Sequence, residues 1–561
     1  MKILLIQPPI QDFYQTTIRT QPIGLAYLAA SLHAQGHEVE ILDCQAEKKK
    51  MIPIPPELSY LLNFYPFNDR SPFKLYSGYY HFGRGWEEIK EKIKDSRADV
   101  FGISASFTPY HGEALKVARI IKEWDERKIV VMGGAHVSGD PEGMLKNPFV
   151  DYIILGEGEV RFPWLLDQIE KKGRKKIGDY DGIGFHCDGD VRINAVKTFI
   201  EDLEVLPYPA RKLLDLDCYR IKKKRSTMII TSRGCPHGCA YCSAYLVMGT
   251  AFRKRSPENI IHEMMECRKK FDIQAFDIED DNFTFDLKRA KQLLSLIIET
   301  FGEGTLELSA MNGVSFASLD GELLGLMKKA GFKTINLSFV STDTLTRERM
   351  KRPRGLIDFD SIVSEAEKLG LQVIAYAILG MPGQTLEEMV ETIIYLMGKR
   401  VLIGPSIYYP TPGTALFEVC KKENLLPPHP MQWRSSAFPL ETKDFTRLDL
   451  ATLFRLTRVI NFIKGKIAEQ EIDDGMTVKE LFHVLKERGK AKDVLIKSDK
   501  PQDVPAWVDL VLGMSQEKAF FSLRKISEGM MRKKEESSKK VLDFFFEKSE
   551  KRLILQNGKH G

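Results

Sequence analysis

Three cysteines, Cys235, Cys239 and Cys242, fall within the run Thr231-Ser232-Arg233-Gly234-Cys235-Pro236-His237-Gly238-Cys239-Ala240-Tyr241-Cys242. Their spacing is C-x3-C-x2-C, directly after the apolar run Met228–Ile230, and Pro236 and Gly238 bend the loop. Three close thiolates suit a cubane iron–sulfur cluster, which cysteine sulfurs hold. A cubane has one iron more than three cysteines can ligate, so one iron stays open to a small molecule. Zinc with His237 as fourth ligand is a competing chemistry, although structural zinc sites usually draw on two separated pairs of ligands. Inert buried thiols are a third. The remaining cysteines, Cys44, Cys187, Cys218, Cys267 and Cys420, are scattered and read as buried thiols, not disulfides.

The elements that must position this loop form a βα series. Strands are expected at Met228–Thr231, Ala275–Ile278, Leu306–Ala310, Thr334–Phe339, Gln372–Leu379 and Ile403–Tyr408, with helical patterns between them. That is a partial barrel of the TIM type, whose functional loops follow the strand carboxyl ends. Residues 1–175 alternate strand and helix as well and predict a Rossmann-like doubly wound parallel sheet. Residues 51–83 read as an irregular insertion. The expected organisation is an α/β chain: sheet domain 1–175, connector 176–225 containing a hairpin, barrel 226–430 and a helical region 431–561. In the last region Leu448–Lys466, Val478–Arg488, Ala506–Leu512 and Glu517–Glu528 read as helices, and Val541–Phe546 as part of a solvated amphipathic helix.

Composition narrows the class. The chain has 561 residues, 43% hydrophobic and 28% charged, with a net charge of +5. That is ordinary for a globular protein of about three or four domains and carries no nucleic-acid signature. Met1–Ile6 is broken too soon by Pro8-Pro9 to be a signal peptide. No stretch is apolar and long enough to span a bilayer, so a cytoplasmic location is expected.

The cysteine run resembles the radical S-adenosylmethionine (SAM) superfamily, whose signature is C-x3-C-x2-C in the first barrel loop. The resemblance implies a [4Fe-4S] cluster on Cys235, Cys239 and Cys242, with SAM on the open iron. One electron then breaks a carbon–sulfur bond, and the resulting 5′-deoxyadenosyl radical abstracts hydrogen from substrate. It also implies SAM contacts: Tyr241 and the Gly380-Met381-Pro382 turn near the adenine, Asp280 or Asp281 on the amino group, and Asn312 on the ribose. One departure stands out. Where many relatives carry a Glu-Ser-Gly-Ser-like run after the fourth strand, this chain reads Phe339-Val340-Ser341-Thr342, so Ser341 or a nearby backbone group is left to serve. Tyr409-Pro410-Thr411-Pro412-Gly413-Thr414 is similar to a common closing loop.

An open sheet before such a barrel resembles the cobalamin-dependent radical SAM subclass, over residues 1–430. The matches are Gln7-Pro8-Pro9, Pro22-Ile23-Gly24-Leu25-Ala26, Gly102-Ile103-Ser104, Gly133-Gly134-Ala135-His136 and Gly156-Glu157-Gly158-Glu159. They imply cobalamin contacts from Pro9, Gly24, Gly133, Gly134, His136, Gly156, Glu157 and Gly158. Glycines at strand ends let backbone approach a bulky ligand. Ser104, Ser106 and Thr108 offer hydroxyls for a nucleotide-tail slot, or else cap the next helix. None of the eleven histidines follows an Asp at the spacing of the Asp-x-His-x-x-Gly cobalt-ligand motif.

The expected reaction is methylation of an unactivated carbon or phosphorus in a small-molecule, lipid or natural-product substrate, with a flavodoxin or ferredoxin as electron donor. Oxidative cyclisation or ring rearrangement, as in the anaerobic porphyrin ring cyclase, is the alternative. A tRNA methylthiotransferase is disfavoured because the N-terminal half has no second cysteine cluster. A non-enzymatic cobalamin sensor would not need the cysteine triad.

Overall fold

The computed structural model describes residues 1–13, 21–45, 49–174, 177–187, 189–221, 223–352, 356–495, 506–526 and 529–555. The N-terminal strands are apolar runs of Ile, Leu and Val, as strands covered on both faces must be. Lys2–Gln7 lies between Glu38–Asp43 and Val100–Ser104, and Ile129–Gly133 and Tyr152–Ile154 extend the sheet, all parallel. The chain order is thus second, first, third, fourth, fifth. It reverses beside Lys2–Gln7, at the switch point where doubly wound sheets bind ligands.

The stretch expected as a connector joins this sheet. Ile183–Cys187 pairs antiparallel with Tyr152–Ile154, and Asp190–Ile193 pairs with it in turn. Ile183 and Phe185 bury themselves against Ile154, Phe162 and Leu166, so the hairpin completes the core of the sheet domain. Part of the 51–83 insertion is also ordered: Tyr79–Phe82 pairs with Ile10–Asp12 and Lys49–Ile52 in a small antiparallel sheet.

The barrel is built from two three-stranded parallel sheets. Lys224–Ile229, Ala275–Ile278 and Glu307–Ser309 form one; Thr334–Val340, Gln372–Leu379 and Leu402–Ile407 form the other. Parallel bridges Leu308↔Phe332 and Val314↔Leu337 join them. All six strands fall where the periodicity places them, within a few residues.

In the C-terminal region, helix Arg447–Ala468 starts with a capping box between Thr446 and Asp449 and packs on the barrel. The expected helix Glu517–Glu528 is instead an antiparallel hairpin, Phe521–Ile526 with Gly529–Lys534. Tertiary contacts decide this: Phe521 and Ser522 are buried, and the Arg70 amide donates to the Leu523 carbonyl at 2.7 Å. Helix Lys539–Ser549 buries Val541, Leu542 and Phe545 against the barrel region and is not merely solvated. Among the described residues no helix is long and apolar enough to cross a membrane.

Candidate active site

The first barrel strand leads into an excursion whose two ends pair as a short stem, Ser232–Arg233 against Arg253–Lys254. Gly234 opens it at φ +84°, and a Cβ there would lie 2.2 Å from the Ala251 carbonyl oxygen, so only glycine fits. The loop beyond carries the cysteines. Cys235, Cys239 and Cys242 all line one cavity of about 620 Å³, together with Gly238, Tyr241, Asp281, Asn312 and Arg352. Burial raises the Cys235 thiol and pushes that of Cys242 up to about 11. Ionising them for metal binding therefore needs compensation by the metal itself. Among the described residues no three His, Cys, Asp or Glu side chains are grouped as one ion would need. His237 sits edge-on to Phe285, ring centroids 6.0 Å apart.

Asp280 and Asp281 lie just beyond the second barrel strand, Ala275–Ile278, and separate sharply. Asp280 is 2% exposed and accepts the Thr231 amide at 2.6 Å and the hydroxyls of Thr231 and Ser232. It lines neither cavity and pins the root of the cysteine loop; the expectation of a SAM contact passes to Asp281. Asp281 lines the cysteine cavity, accepts the Gly234 amide at 3.0 Å, and has its pKa raised by burial. Such a carboxylate gains from a cationic neighbour. Asn312, at the third strand, donates to Glu279 at 2.8 Å.

Other expected SAM residues lie elsewhere. Ser341 is fully buried and donates to Glu388 at 2.7 Å, because the strand end turns in towards helix Leu386–Met397. Gly380, at φ +84°, packs against Leu450 of the C-terminal helix, and its amide lies 3.2 Å from the Met389 sulfur. Neither these two nor Pro382 lines either cavity; the same strand meets the cysteine cavity through Ile378.

A second cavity, of about 840 Å³, lies over the N-terminal sheet. Leu5, Gln7 and Gly102–Ser104 form its floor at the switch point, and Met228, Asp277, Glu279 and Met311 of the barrel roof it. Of the residues expected to contact cobalamin, Gly24, Ser104, Ser106, Gly133, Gly134, Gly156, Glu157 and Gly158 line it. A Cβ on Gly102 would meet Leu5 at 2.7 Å, and one on Gly158 would meet Leu28 at 2.8 Å. Helices Ile23–Ala34 and Gly158–Lys172 start at this cavity with no side-chain cap, which leaves amides for a polar ligand. Ser104 and Ser106 hydrogen-bond each other at 3.0 Å. Helix His111–Trp124 begins with no side-chain cap, so these hydroxyls and Thr108 do not cap it.

Three expected cobalamin residues depart from this picture. Pro9 lines a small recess beside Ser104 and Ser106. Thr108 and His136 face the cysteine cavity instead. His136 is 2% exposed, its Nδ1 is 3.2 Å from the Thr108 hydroxyl, and its Nε2 has no partner. Glu157 contributes its backbone to the larger cavity, but its carboxylate pairs with Arg233 and Arg253, both at 2.8 Å.

The two cavities share Ser106, Phe107, Ala135, Val247, Met248 and Asn312 as a common wall. Sequence reasoning missed Gln7, Gln21, Phe107, Glu279, Tyr245, Tyr409 and Arg352 among the lining residues. Gln7 and Tyr409 fell inside quoted motifs without being singled out, and Arg352 had a signal in the basic run Arg347–Arg352; its guanidinium lies against Tyr241 and Cys239.

A radical SAM barrel joined to a Rossmann-type cobalamin domain is the class that this fold and loop define. The model of the Radical SAM superfamily matches residues 229–396, and that of the B12 binding domain matches residues 78–166. The chain is 30% identical over 483 residues to an uncharacterized methyltransferase of Pyrococcus horikoshii, covering 84% of this chain and 95% of the relative. It is 27% identical over 476 residues to the cytidylyl-2-hydroxyethylphosphonate methyltransferase of Streptomyces wedmorensis, covering 77% and 84%. The radical SAM methyltransferase TsrM of Kitasatospora setae, solved with cobalamin and a [4Fe-4S] cluster, shares the fold with a TM-score of 0.56 at 19% identity, covering 76% and 79%. The protein belongs to the radical SAM enzymes that carry a B12-binding domain.

Proposed function

We propose that the protein is a cobalamin-dependent radical SAM methyltransferase acting on an unactivated carbon or phosphorus of a small molecule or natural product. One observation carries this reading: the cavity over the N-terminal sheet and the cavity holding all three cysteines meet at one wall. When bound, the cluster and SAM supply hydrogen-atom abstraction and cobalamin supplies a transferable methyl group. Cys235, Cys239 and Cys242 hold the cluster. Asp281 takes the SAM ammonium, with its other face fixed by the Gly234 amide. The cavity over Gly102, Gly133 and Gly158 takes cobalamin, and the uncapped helix starts at Pro22 and Glu157 offer amides to its polar tail. Tyr245, Tyr409 and Phe107 wall the shared space with aromatic surface, which excludes water from a radical. Pro236 is exposed at the outer edge of the loop, where a flavodoxin- or ferredoxin-like protein gains access to the cluster.

The test is anaerobic reconstitution with iron, sulfide and cobalamin, followed by mass spectrometry of products from a lysate. Wild-type protein is expected to hold about four irons and to add methyl groups derived from SAM; a Cys235→Ala/Cys239→Ala/Cys242→Ala variant should lose both. Full iron and SAM cleavage in that variant would sink the cluster assignment. Products that lose hydrogen without gaining methyl would replace methyl transfer by oxidative cyclisation.

A further inference from the structure

Between the N-terminal sheet and the barrel lies a buried ion cluster, and its members Arg233 and Glu159 also line the larger cavity. Glu157 is flanked by Gly156 and Gly158, and all three line the larger cavity. Its carboxylate turns away into the barrel. Oε1 accepts Arg233 at 2.8 Å and Oε2 accepts Arg253 at 2.8 Å, with the Ile200 amide also on Oε2 at 2.8 Å. Glu159 takes the other Arg233 nitrogen at 2.6 Å. The side chains of Glu157, Arg233, Arg253 and Glu159 are 0%, 3%, 7% and 7% exposed.

The two arginines are not arbitrary barrel residues. They face each other in the stem that closes the cysteine excursion, in register Arg233↔Arg253. Arg233 stands two positions before Cys235, with Gly234 between them, and Arg253 also reaches the carbonyl of Met248, a residue of both cavity walls. One carboxylate from the sheet domain therefore holds both ends of the loop that carries the cysteines. Charges this deeply buried cannot part without leaving an uncompensated ion, so loop and stem move together.

We propose that Glu157 and Glu159 with Arg233 and Arg253 form a clamp through which a ligand in the sheet-domain cavity and assembly of the cysteine loop stabilise each other. This rests on the reading of the larger cavity as the cobalamin site. A ligand seated on Gly156–Gly158 fixes the stem, and a filled cysteine loop fixes Gly156–Gly158. Linkage makes the two effects equal in size. The four side chains are positioning residues.

The experiment titrates aquacobalamin into wild-type protein with and without the reconstituted cluster. Cluster assembly should tighten cobalamin binding by about fivefold or more, the lower end of common couplings. In Arg253→Gln the factor should fall below about twofold, while cluster-free protein keeps its cobalamin affinity; Arg253→Lys should restore part of it. A second readout is hydrogen exchange at residues 231–235 of cluster-free protein, which cobalamin should slow in the wild type and not in Arg253→Gln. Equal coupling in Arg253→Gln and wild type, or none in the wild type, overturns the clamp and leaves the cobalamin reading standing. If Arg253→Gln loses cluster-free binding through misfolding, Arg253→Lys and the wild-type exchange decide, and unprotected 231–235 overturns the clamp. Wild-type protein that binds no cobalamin in either state removes the cobalamin reading, and the clamp with it.

Discussion

Asp280 and Asp281 follow one another just past strand Ala275–Ile278, and their side chains face different ways. One is consumed by Thr231 and Ser232; the other looks into the cysteine cavity. Replacing Asp281 by Ala should weaken SAM binding by about 1.5–3 kcal/mol, the range for a charged hydrogen bond, as read by equilibrium dialysis on cluster-loaded protein. Asp280→Ala should instead reduce retention of iron by loosening the loop. Unchanged SAM affinity in Asp281→Ala would remove that role. His136 carries a pH consequence. Burial lowers its pKa from 6.5 to about 3, with neighbouring His111 adding to the effect. Between these values the unfolded chain binds a proton that the folded chain does not. Stability contributed by the neutral ring is full above pH 6.5 and is lost as pH falls towards 3, with a slope approaching about 1.4 kcal/mol per pH unit. Acid unfolding of His136→Gln should be less steep over that window; an unchanged profile would show that the ring does not titrate this way.

At the scale of elements, the barrel depends on anchors supplied from outside it. Lys464 on helix Arg447–Ala468 is 1% exposed and donates to the carbonyls of Leu396, Lys399 and Val401 at 3.0, 2.7 and 2.7 Å. These carbonyls end helix Leu386–Met397 and lead into strand Leu402–Ile407, where no intrahelical partner is available. Lys464→Met would remove the ammonium from all three, leaving Leu396 and Lys399 only the amides of Lys399 and Val401, at a cost of about 2–4 kcal/mol. Hydrogen exchange across residues 394–403 should speed up accordingly; unaltered protection would mean that water replaces the ammonium. The periodic strands of both domains were legible in the sequence, since a run such as Gln372–Leu379 has few other ways to bury its side chains. The hairpin Phe521–Ile526/Gly529–Lys534 was not, because its stretch has helix-forming residues and is held as a strand by Asp69 and Arg70, some 450 residues away in the chain.

At the scale of the whole molecule, two domains enclose the site and neither completes it alone. The larger cavity has a sheet-domain floor and a barrel roof, and among the described residues no histidine lines it. Cobalamin bound there should give a Co(II) paramagnetic resonance spectrum without nitrogen splitting, as axial ligation governs the metal. A clear nitrogen splitting would reject the free lower face, and His136, in the adjoining cavity, would be the first residue to substitute. The buried Arg434, bonded to the Gln11 and Pro109 carbonyls at 2.6 and 2.8 Å, ties the C-terminal region to the sheet domain as well. Sequence by itself determined the cysteine triad, the strand-end glycines and the order of the two α/β units, because local spacing and periodicity are written in adjacent residues. Only the tertiary structure decided which of two neighbouring aspartates faces the cavity, that Glu157 spends its carboxylate on the barrel, and that Ser341 is held by Glu388. Each of those outcomes turns on a partner dozens of residues away or more, and a buried polar group goes wherever such a partner stands.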